Sequence, residues 1–343
     1  MTDSSLYNVE VRGLTDAREE RCAAACAVCG ETSAVPRFAI DQFDLRIVVC
    51  SRCETGRLDP LPDDEQIAGF YPPRYYGSTG RKFNRWIETA VRFVAARHVR
   101  FLARKIRRGG RVLDVGCGRG TLLAALADRG LEAHGLEINP DAAEGADPRA
   151  KIRIAGSLAE AGYSANSFDM VIYWHVFEHL RDPRAALEEV WRVLRPGGFV
   201  VIAVPNFSSW QARSTGAAWF HLDPPRHIYH FPVASLKTLL TNCGFTCRSE
   251  HHFSLRQNPF GWVQSRLNQS GRFPRNMLYE QLHRRKERSN RVPRWQRTRL
   301  LAAFVLGMPI ALALEVIAIL FRAGGTVHVV AVVEKDPEPV DHG

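Results

Sequence analysis

The sequence predicts an α/β fold, in which helices cover both faces of a largely parallel sheet, joined to a small module that contains cysteine pairs. Apolar strands alternate with helices from residue 111 to residue 255. A glycine-rich turn connects the first of these strands to the helix that follows it. Two cysteine pairs lie among short strands near the N-terminus. Strand–helix alternation is typical of a parallel sheet between helices, and the cysteine pairs indicate a separate, smaller unit.

Length and composition are those of a folded protein with one large core and one accessory module. The chain has 343 residues, of which 45% are hydrophobic and 24% are charged. Residues 1–13 lack the basic start and apolar run of a secretory signal. We therefore expect a cytoplasmic protein whose eight cysteines are reduced, and either bound to metal or buried. Residues 1–20 are polar and are predicted to be disordered, and residues 336–343 form a tail.

The first folded module is predicted at residues 21–62. Cys26-x-x-Cys29 and Cys50-x-x-Cys53 lie in a stretch of alternating apolar residues that is typical of short strands. Two C-x-x-C turns at this separation place four sulfurs at the corners of a tetrahedron, which predicts a structural zinc ribbon. A linker and leading helix follow at residues 63–110.

The large core is predicted at residues 111–258, with a last strand at residues 324–335. Its helices are expected to begin and end at capping signals such as Asp182, followed by Pro183, and Gly197-Gly198. The expected strands are residues 111–115, 131–138, 151–155, 168–174, 199–204, 245–253 and 326–334, and the expected helices are residues 121–128, 182–195 and 232–243.

The glycine-rich turn, Gly116-Cys117-Gly118-Arg119-Gly120, is the strongest functional signal. Small residues allow the backbone to approach a ligand at the carboxyl edge of the sheet. The G-x-G-x-G spacing differs from the pyrophosphate-binding G-x-G-x-x-G, which needs a glycine at Thr121. Asp114, before the turn, can hold a cationic amino group, and Glu137, at the end of the next strand, can accept both hydroxyls of a ribose.

These residues resemble the first motif of the class I S-adenosylmethionine-dependent methyltransferases. Residues 168–172, 178–180, 192–198 and 204–206 resemble later blocks of that family, and the resemblance covers residues 85–255 and the last strand. It implies a Rossmann-like sheet of seven strands, the last inserted antiparallel, and S-adenosyl-L-methionine as cofactor. The cofactor-binding residues that it implies are Asp114, Gly116, Cys117, Gly118 and Gly120 for the methionine part, Glu137 for the ribose, Ser157 and Leu158 beside the adenine, and Ile138, Trp174 and His175 as further contacts.

Histidines are the candidate catalytic groups, because methylation of a hydroxyl needs a base in addition to an aligned methyl donor. His227 lies in a loop, residues 219–231, that resembles the substrate side of this family, and it is the first candidate; His230 is a weaker one. A purely structural role, in which His227 holds the loop by hydrogen bonds, stays open. His175 and His179 are expected to line the pocket. Their H-x-x-E-H pattern also marks a class of zinc peptidases, but here it follows a sheet strand, which excludes that chemistry.

The predicted insertion at residues 259–323 combines a basic segment with an apolar helix. Residues 261–299 hold eleven of the 46 Lys and Arg residues but two of the 36 acidic ones. Residues 300–321 are apolar and long enough to cross a bilayer, although one crossing would separate the last strand from its sheet. We expect residues 262–322 to bind an anionic membrane surface at the cytoplasmic face, as a peripheral or monotopic attachment. A helical lid or a dimer contact is the alternative.

The sequence therefore predicts a methyltransferase with a small-molecule, lipid-linked or glycan acceptor, methylated at oxygen. The order of cysteine pairs, proline-rich turn and methyltransferase motifs resembles bacterial proteins of polysaccharide and secondary-metabolite pathways. Nucleic acid is not the expected partner, because the basic residues lie in one insertion and not around the catalytic cleft. An RNA methyltransferase and a non-catalytic subunit that binds the cofactor are the alternatives.

Overall fold

The computed structural model describes residues 9–15, 17–71, 106–254, 257–282 and 293–335. The chain forms two compact units. The first comprises residues 1–91, 204–235 and 251–327, and the second comprises residues 92–203, 236–250 and 328–343. Residues 204–235, which the sequence assigned to the core, thus belong to the unit that holds the cysteine module. The leading helix expected within residues 63–110 falls in a range of which residues 72–105 lie outside the described part of the chain.

The described elements follow the predicted alternation of strands and helices. The strands are β1 (Arg12–Gly13), β2 (Glu20–Arg21), β3 (Ser33–Ile40), β4 (Leu45–Cys50), β5 (Gly56–Asp59), β6 (Arg111–Val115), β7 (Glu132–Glu137), β8 (Lys151–Ile154), β9 (Phe168–Trp174), β10 (Leu194–Pro205), β11 (Tyr229–His230), β12 (Phe245–His251) and β13 (Thr326–Val333). The α-helices are α1 (Asp64–Gly69), α2 (Thr121–Ala127), α3 (Pro140–Ala143), α4 (Pro183–Val193), α5 (Trp210–Thr215), α6 (Val233–Asn242), α7 (Asn258–Gln269), α8 (Met277–Leu282) and α9 (Arg294–Leu320). Short 3₁₀ helices lie at Asp41–Phe43, Phe177–His179, Gly216–Ala218 and Phe220–Leu222.

A seven-stranded sheet forms the centre of the second unit, in the order β12-β13-β10-β9-β6-β7-β8. Neighbouring strands from β10 to β8 are parallel. The central strands β6, β9 and β10 are mostly apolar because both faces of the sheet are covered there, whereas the edge strand β8, Lys-Ile-Arg-Ile, is largely exposed. The last strand of the chain, β13, lies between β12 and β10. The predicted fold class, a Rossmann-like sheet of seven strands, is confirmed.

Helix α4 begins at the predicted signal but ends at Val193, before Gly197-Gly198, which lie in β10. The carboxylate of Asp182 accepts hydrogen bonds from the backbone N–H groups of Arg184 (3.1 Å) and Ala185 (3.0 Å), and Pro183 occupies the first turn, where its missing N–H is not needed. Near the other end, Nζ of Lys335 donates to the carbonyl oxygens of Leu194 (2.7 Å) and Arg192 (3.2 Å). A cation at this position also interacts favourably with the helix dipole.

The cysteine module forms a second, mostly antiparallel sheet in the order β1-β3-β4-β5-β11, with β2 also paired to β3. Arg12 and Gly13 pair with Phe38 and Ala39, and Glu20 pairs with Ala34. The prediction that residues 1–20 are disordered is therefore wrong for β1 and for the start of β2. Both segments are polar and too short for periodicity to reveal them, and the edge of β3 supplies their hydrogen-bonding partners.

Helix α9 packs on α7 within the first unit. Leu300 and Ala311 are buried with Trp262 and Val263 of α7. Most large apolar side chains on the remainder of α9 are exposed, among them Leu306 (73%) and Leu320 (77%). Within the described parts of the chain, α9 is the helix whose length and composition would suffice to cross a membrane.

The acid near the C-terminal end of this helix, Glu315, is directed into the protein and is buried. Its carboxylate accepts hydrogen bonds from Nδ2 of Asn258 (2.6 Å) and Nε1 of Trp262 (3.0 Å). Burial raises the pKa of this carboxyl group. The two side-chain donors of α7 therefore compensate for part of the cost of removing the acid from water.

Candidate functional site

The glycine-rich turn leaves the sheet at the carboxyl end of β6 and leads directly into α2. Gly116, Gly118 and Gly120 all have positive φ angles, of 71°, 51° and 65°. The N–H groups of Gly116 and Cys117 donate to the carbonyl oxygen of Leu136 (2.7 and 3.1 Å), which holds the turn against β7. Among the described residues, apart from the two chain neighbours of Gly118, no atom lies within 4 Å of the position that a Cβ on Gly118 would occupy. The turn thus presents bare backbone at the sheet edge, where ligands of such sheets bind.

Asp114 lies below this turn with its carboxyl group buried. Burial, and then the like charge of Glu137, raise its pKa to about 8. Asp114 pairs with Gly135 in the sheet, so the two acids stand on neighbouring parallel strands. Within the described residues, Glu137 supplies the one charge that shifts the pKa of Asp114. A buried acid of this kind needs a cationic partner in order to ionise at neutral pH.

Glu137 is held by three backbone donors. Its Oε2 accepts from the N–H of Gly118 (2.8 Å), and its Oε1 accepts from the N–H groups of Ile138 (3.0 Å) and Asn139 (3.1 Å). A carboxylate has about four lone-pair sites, so these bonds orient the group and leave acceptor capacity for hydroxyl donors. Glu137 therefore also connects the glycine-rich turn to β7.

The residues expected around the adenine occupy two neighbouring loops. The side chain of Ile138 is 63% exposed, directly after Glu137, and offers an apolar surface to a flat ring. Leu158 is buried, and Ser157 is exposed. The hydroxyl oxygen of Ser157 accepts the N–H of Glu160 (3.1 Å), so it stabilises its own turn. Its direct contact with the cofactor stays a prediction.

Cys117 is half-buried between the two acids. Burial, Asp114 and Glu137 together raise the pKa of its thiol well above the usual value. The sulfur packs so closely over Gly135 that a Cβ on that glycine would lie 2.6 Å from it. Cys117 is therefore a neutral packing group of the turn and not a reactive thiolate.

Trp174 and His175 lie at the carboxyl end of β9, in the same unit as the glycine-rich turn. His175 has a positive φ of 56°, and its Nδ1 lies 3.3 Å from Oε1 of the buried Glu178. Glu178 and His179 belong to the short 3₁₀ helix that follows. The ring of Trp174 packs on His328 of β13, with ring centroids 4.7 Å apart. Sequence reasoning missed His328, although a histidine in the apolar run of β13 was a visible irregularity.

The other candidate histidines belong to the first unit. His227 is buried, and its Nδ1 lies 2.8 Å from the carbonyl oxygen of His221. Because a carbonyl oxygen only accepts, Nδ1 carries the proton, and the basic nitrogen of the neutral ring is Nε2. Asp223 forms an ion pair with the buried Arg226 in the same loop. His230, in β11, is also buried.

The four predicted metal ligands come together. The sulfurs of Cys26 and Cys53, and those of Cys29 and Cys50, lie 3.5 Å apart, and the four sulfurs lie within 4.8 Å of one another. Tetrahedral Zn–S bonds of about 2.3 Å require sulfurs roughly 3.8 Å apart, so the arrangement fits zinc. Burial raises the pKa of Cys29 to about 11, and a divalent cation would reverse this effect.

The remaining cysteine of the module, Cys22, is not part of this cluster. It packs with Ala34 and Val48 in a small apolar core. Cys22 is therefore a structural thiol and not a fifth ligand.

Several known proteins are similar to this chain. Residues 83–250 match a family described as "Methyltransferase domain". A ubiquinone biosynthesis O-methyltransferase of Psychrobacter arcticus is 31% identical over 178 residues, which cover 47% of this chain and 69% of that protein. A probable S-adenosylmethionine-dependent methyltransferase of Mycolicibacterium smegmatis is 33% identical over 141 residues, covering 40% of this chain and 52% of that protein. A solved S-adenosylmethionine-dependent methyltransferase from Archaeoglobus fulgidus aligns with a TM-score of 0.46 and 18% identity, over 70% of this chain and 94% of its own.

Proposed function

The chain belongs to the class I S-adenosylmethionine-dependent methyltransferases, and we propose that it methylates an oxygen of a lipid-linked, glycan or small-metabolite acceptor at the cytoplasmic face of a membrane. The observation that carries the cofactor site is the pair of acids on β6 and β7, joined by a turn of bare backbone. The choice of oxygen is supported by the relative from Psychrobacter arcticus, whose name states O-methylation.

Each part of the cofactor has a matching group in the second unit. Asp114 would pair with its ammonium group, because that cation supplies the opposite charge that the buried acid needs to ionise. The remaining acceptor sites of Glu137 suit the ribose hydroxyls, and the exposed side chain of Ile138 suits the face of the adenine. When bound, S-adenosyl-L-methionine supplies an activated methyl group that leaves by in-line displacement.

His227 is the proposed base for the acceptor hydroxyl. Its Nδ1 donates to the carbonyl oxygen of His221, so Nε2 of the neutral ring, which lies 3.9 Å from Oδ2 of Asp223, would be the nitrogen that takes the proton. The ion pair between Asp223 and the buried Arg226 stiffens the loop that carries it. His175, His179 and His230 would not themselves take the proton.

A structural zinc ion at Cys26, Cys29, Cys50 and Cys53 belongs to the same proposal. Four thiolates fill all four positions of tetrahedral zinc, and this leaves none for a substrate or a water molecule. The ion would therefore stabilise the module and would take no part in methyl transfer.

Membrane attachment through residues 262–322 is supported by α9 and by the charge before it. The 27 residues of α9 span about 40 Å, and the apolar side chains on its exposed side include Val305, Leu306 and Ile310. The basic segment of the sequence comes directly before this surface, and each Lys or Arg near an anionic membrane contributes about 1 kcal/mol. The inward direction of Glu315 removes the one acid of α9 from that surface.

Calorimetric titration with S-adenosyl-L-methionine tests the cofactor site. Asp114→Ala and Glu137→Ala should each weaken binding at least tenfold, whereas the matched control Asp128→Ala, at an exposed acid of the same unit, should bind like the wild type. Normal binding by the first two variants would refute the assignment.

Incubation with methyl-labelled cofactor and cell extract tests the acceptor class. Label in the lipid, glycan or small-metabolite fraction supports the proposal. Label in RNA would favour an RNA methyltransferase, and cofactor binding without any labelled product would favour a non-catalytic subunit.

Vesicle co-sedimentation tests the membrane surface. The full chain should sediment with vesicles that contain phosphatidylglycerol and not with pure phosphatidylcholine. Leu306→Ser combined with Ile310→Ser should release it, whereas Ile154→Ser, which removes an exposed apolar side chain from the second unit, should not. Sedimentation that is unaffected by the α9 variant would refute this surface.

A further inference from the structure

The sheet of the cysteine module continues beyond the module into the loop that carries the candidate base. Strand β5 pairs with β11, so that Arg57 faces Tyr229 and Gly56 faces His230. The N–H of Leu58 also donates to the carbonyl oxygen of Ile228 (2.9 Å). The backbone directly after His227 is thus held by the last strand of the cysteine module.

Gly56 is the point of closest approach between the two segments. A Cβ at this buried position would lie 3.0 Å from Cβ of His230 and 3.2 Å from Cε1 of Phe207. On the other side of the loop, the N–H of Phe207 donates to the carbonyl oxygen of Phe231 (3.0 Å). Any side chain on Gly56 would therefore displace His230 or Phe207.

Two contacts connect this region to the cysteines themselves. The hydroxyl of Thr55, next to Gly56, lies 3.2 Å from Sγ of Cys53, and the N–H of Cys50 donates to the carbonyl oxygen of Thr55 (3.0 Å). The hydroxyl of Ser235, in α6, donates to the carbonyl oxygen of Cys53. The second C-x-x-C turn is therefore linked twice to the chain that follows His227, through β5 to β11 and directly to Ser235 of α6.

We propose that the cysteine module positions His227 and His230, with Gly56 and Ser235 as positioning residues, and that a metal ion at the four cysteines maintains this arrangement. The inference rests on the zinc site and on the role of His227 proposed above. A metal ion would fix the Cys50–Cys53 turn, the turn fixes the register of β5, and β5 holds the loop through backbone hydrogen bonds. Gly56 and Ser235 act through the loop and contact no substrate.

Hydrogen exchange of the full chain, read by mass spectrometry, tests this coupling. Gly56→Ala should retain zinc, because all four cysteines remain, but peptides that cover residues 206–208 and 228–231 should exchange at least tenfold faster. Gly69→Ala is the matched control, because no atom of the described residues lies within 4 Å of its added Cβ. Ser235→Ala leaves β5 intact and should produce a smaller change in the same peptides.

The position of the proton on the His227 imidazole provides a second test. If the module only stabilised the fold, changes in the module would leave this position unchanged. In protein labelled with ¹⁵N-histidine and assigned with His227→Gln, the wild-type signal should show the proton on Nδ1. Gly56→Ala and removal of zinc by a chelator should both convert it to a mixture of tautomers, and Gly69→Ala should not.

Cofactor affinity is measured on the same samples. Because the cofactor site lies in the second unit, an error in the cofactor assignment changes this affinity result and leaves the loop measurements interpretable. The inference would be overturned if the protein binds zinc but removal of the zinc changes neither the exchange rates of the loop peptides nor the His227 signal. It would also be overturned if both Gly56→Ala and Ser235→Ala matched the wild type.

Discussion

The raised pKa of Asp114 predicts that cofactor affinity increases with pH. In the free protein, burial and the charge of Glu137 hold this pKa at about 8. The ammonium group of S-adenosyl-L-methionine would pair with the ionised form, so binding below pH 8 must first remove a proton from Asp114. For a pKa of about 8, the ionised fraction is about 1% at pH 6.0 and about a quarter at pH 7.5. The association constant should therefore rise roughly 25-fold over this interval, or about 2 kcal/mol.

Isothermal titration calorimetry measures both consequences of this linkage. The association constant is determined from pH 6.0 to 7.5, a range in which the amino group of the cofactor stays largely protonated. Titrations at pH 6.5 in buffers of different ionisation enthalpy should show about one proton released per cofactor bound. Asp114→Asn cannot ionise, so its affinity should be at least tenfold lower at pH 7.5 and nearly independent of pH. A wild-type affinity that is constant from pH 6.0 to 7.5 would refute the reasoning.

The remaining predictions concern the stability of the fold and two turns, the one that follows the second cysteine pair and the glycine-rich turn. Without cofactor, Asp114→Asn should melt at a higher temperature than the wild type, and the difference should grow from pH 4 to pH 8. Over this range Asp114 is ionised in the unfolded wild-type chain but must be buried in the folded one, and the Asp114→Asn variant carries no such cost. Glu54→Gly should raise the free energy of unfolding by up to about 1 kcal/mol in urea titrations, because Glu54 has a φ of 59°. Glu315→Leu should lower it by at least about 2 kcal/mol, since two buried donors lose their acceptor, whereas Glu315→Gln should cost less. Gly116→Ala should abolish cofactor binding, because its Cβ would lie 2.5 Å from the Val176 side chain, whereas Gly118→Ala, with open space around it, should only weaken binding.

The fold and the cofactor turn were predictable because their determinants are local in sequence. The strand before the turn is buried and, apart from Arg111 and Asp114, apolar, and the three glycines stand where the backbone adopts positive φ angles. Two C-x-x-C turns bring four sulfurs together by their own geometry. In each case a few neighbouring residues are enough to predict the element, and their local preference agrees with the fold around them.

The features that the sequence did not reveal depend on contacts between distant residues. The pairing of β5 with β11 joins segments about 170 residues apart, and no periodicity encodes such a partner. Strand β1 exists because β3 offers it a free edge, not because its own two residues favour extension. Likewise, the packing of His328 on Trp174 follows from the position of β13 in the sheet, which the composition of β13 does not specify.

The position of β11 in the chain has a consequence for synthesis on the ribosome. Strand β5 leaves the ribosome about 170 residues before its partner, which at 5–20 residues per second corresponds to roughly 9–34 s. During that interval its outer edge presents backbone donors and acceptors to any other nascent chain. Rapid translation, or a chaperone that covers this edge, should therefore increase the soluble yield more than a lower temperature that slows elongation.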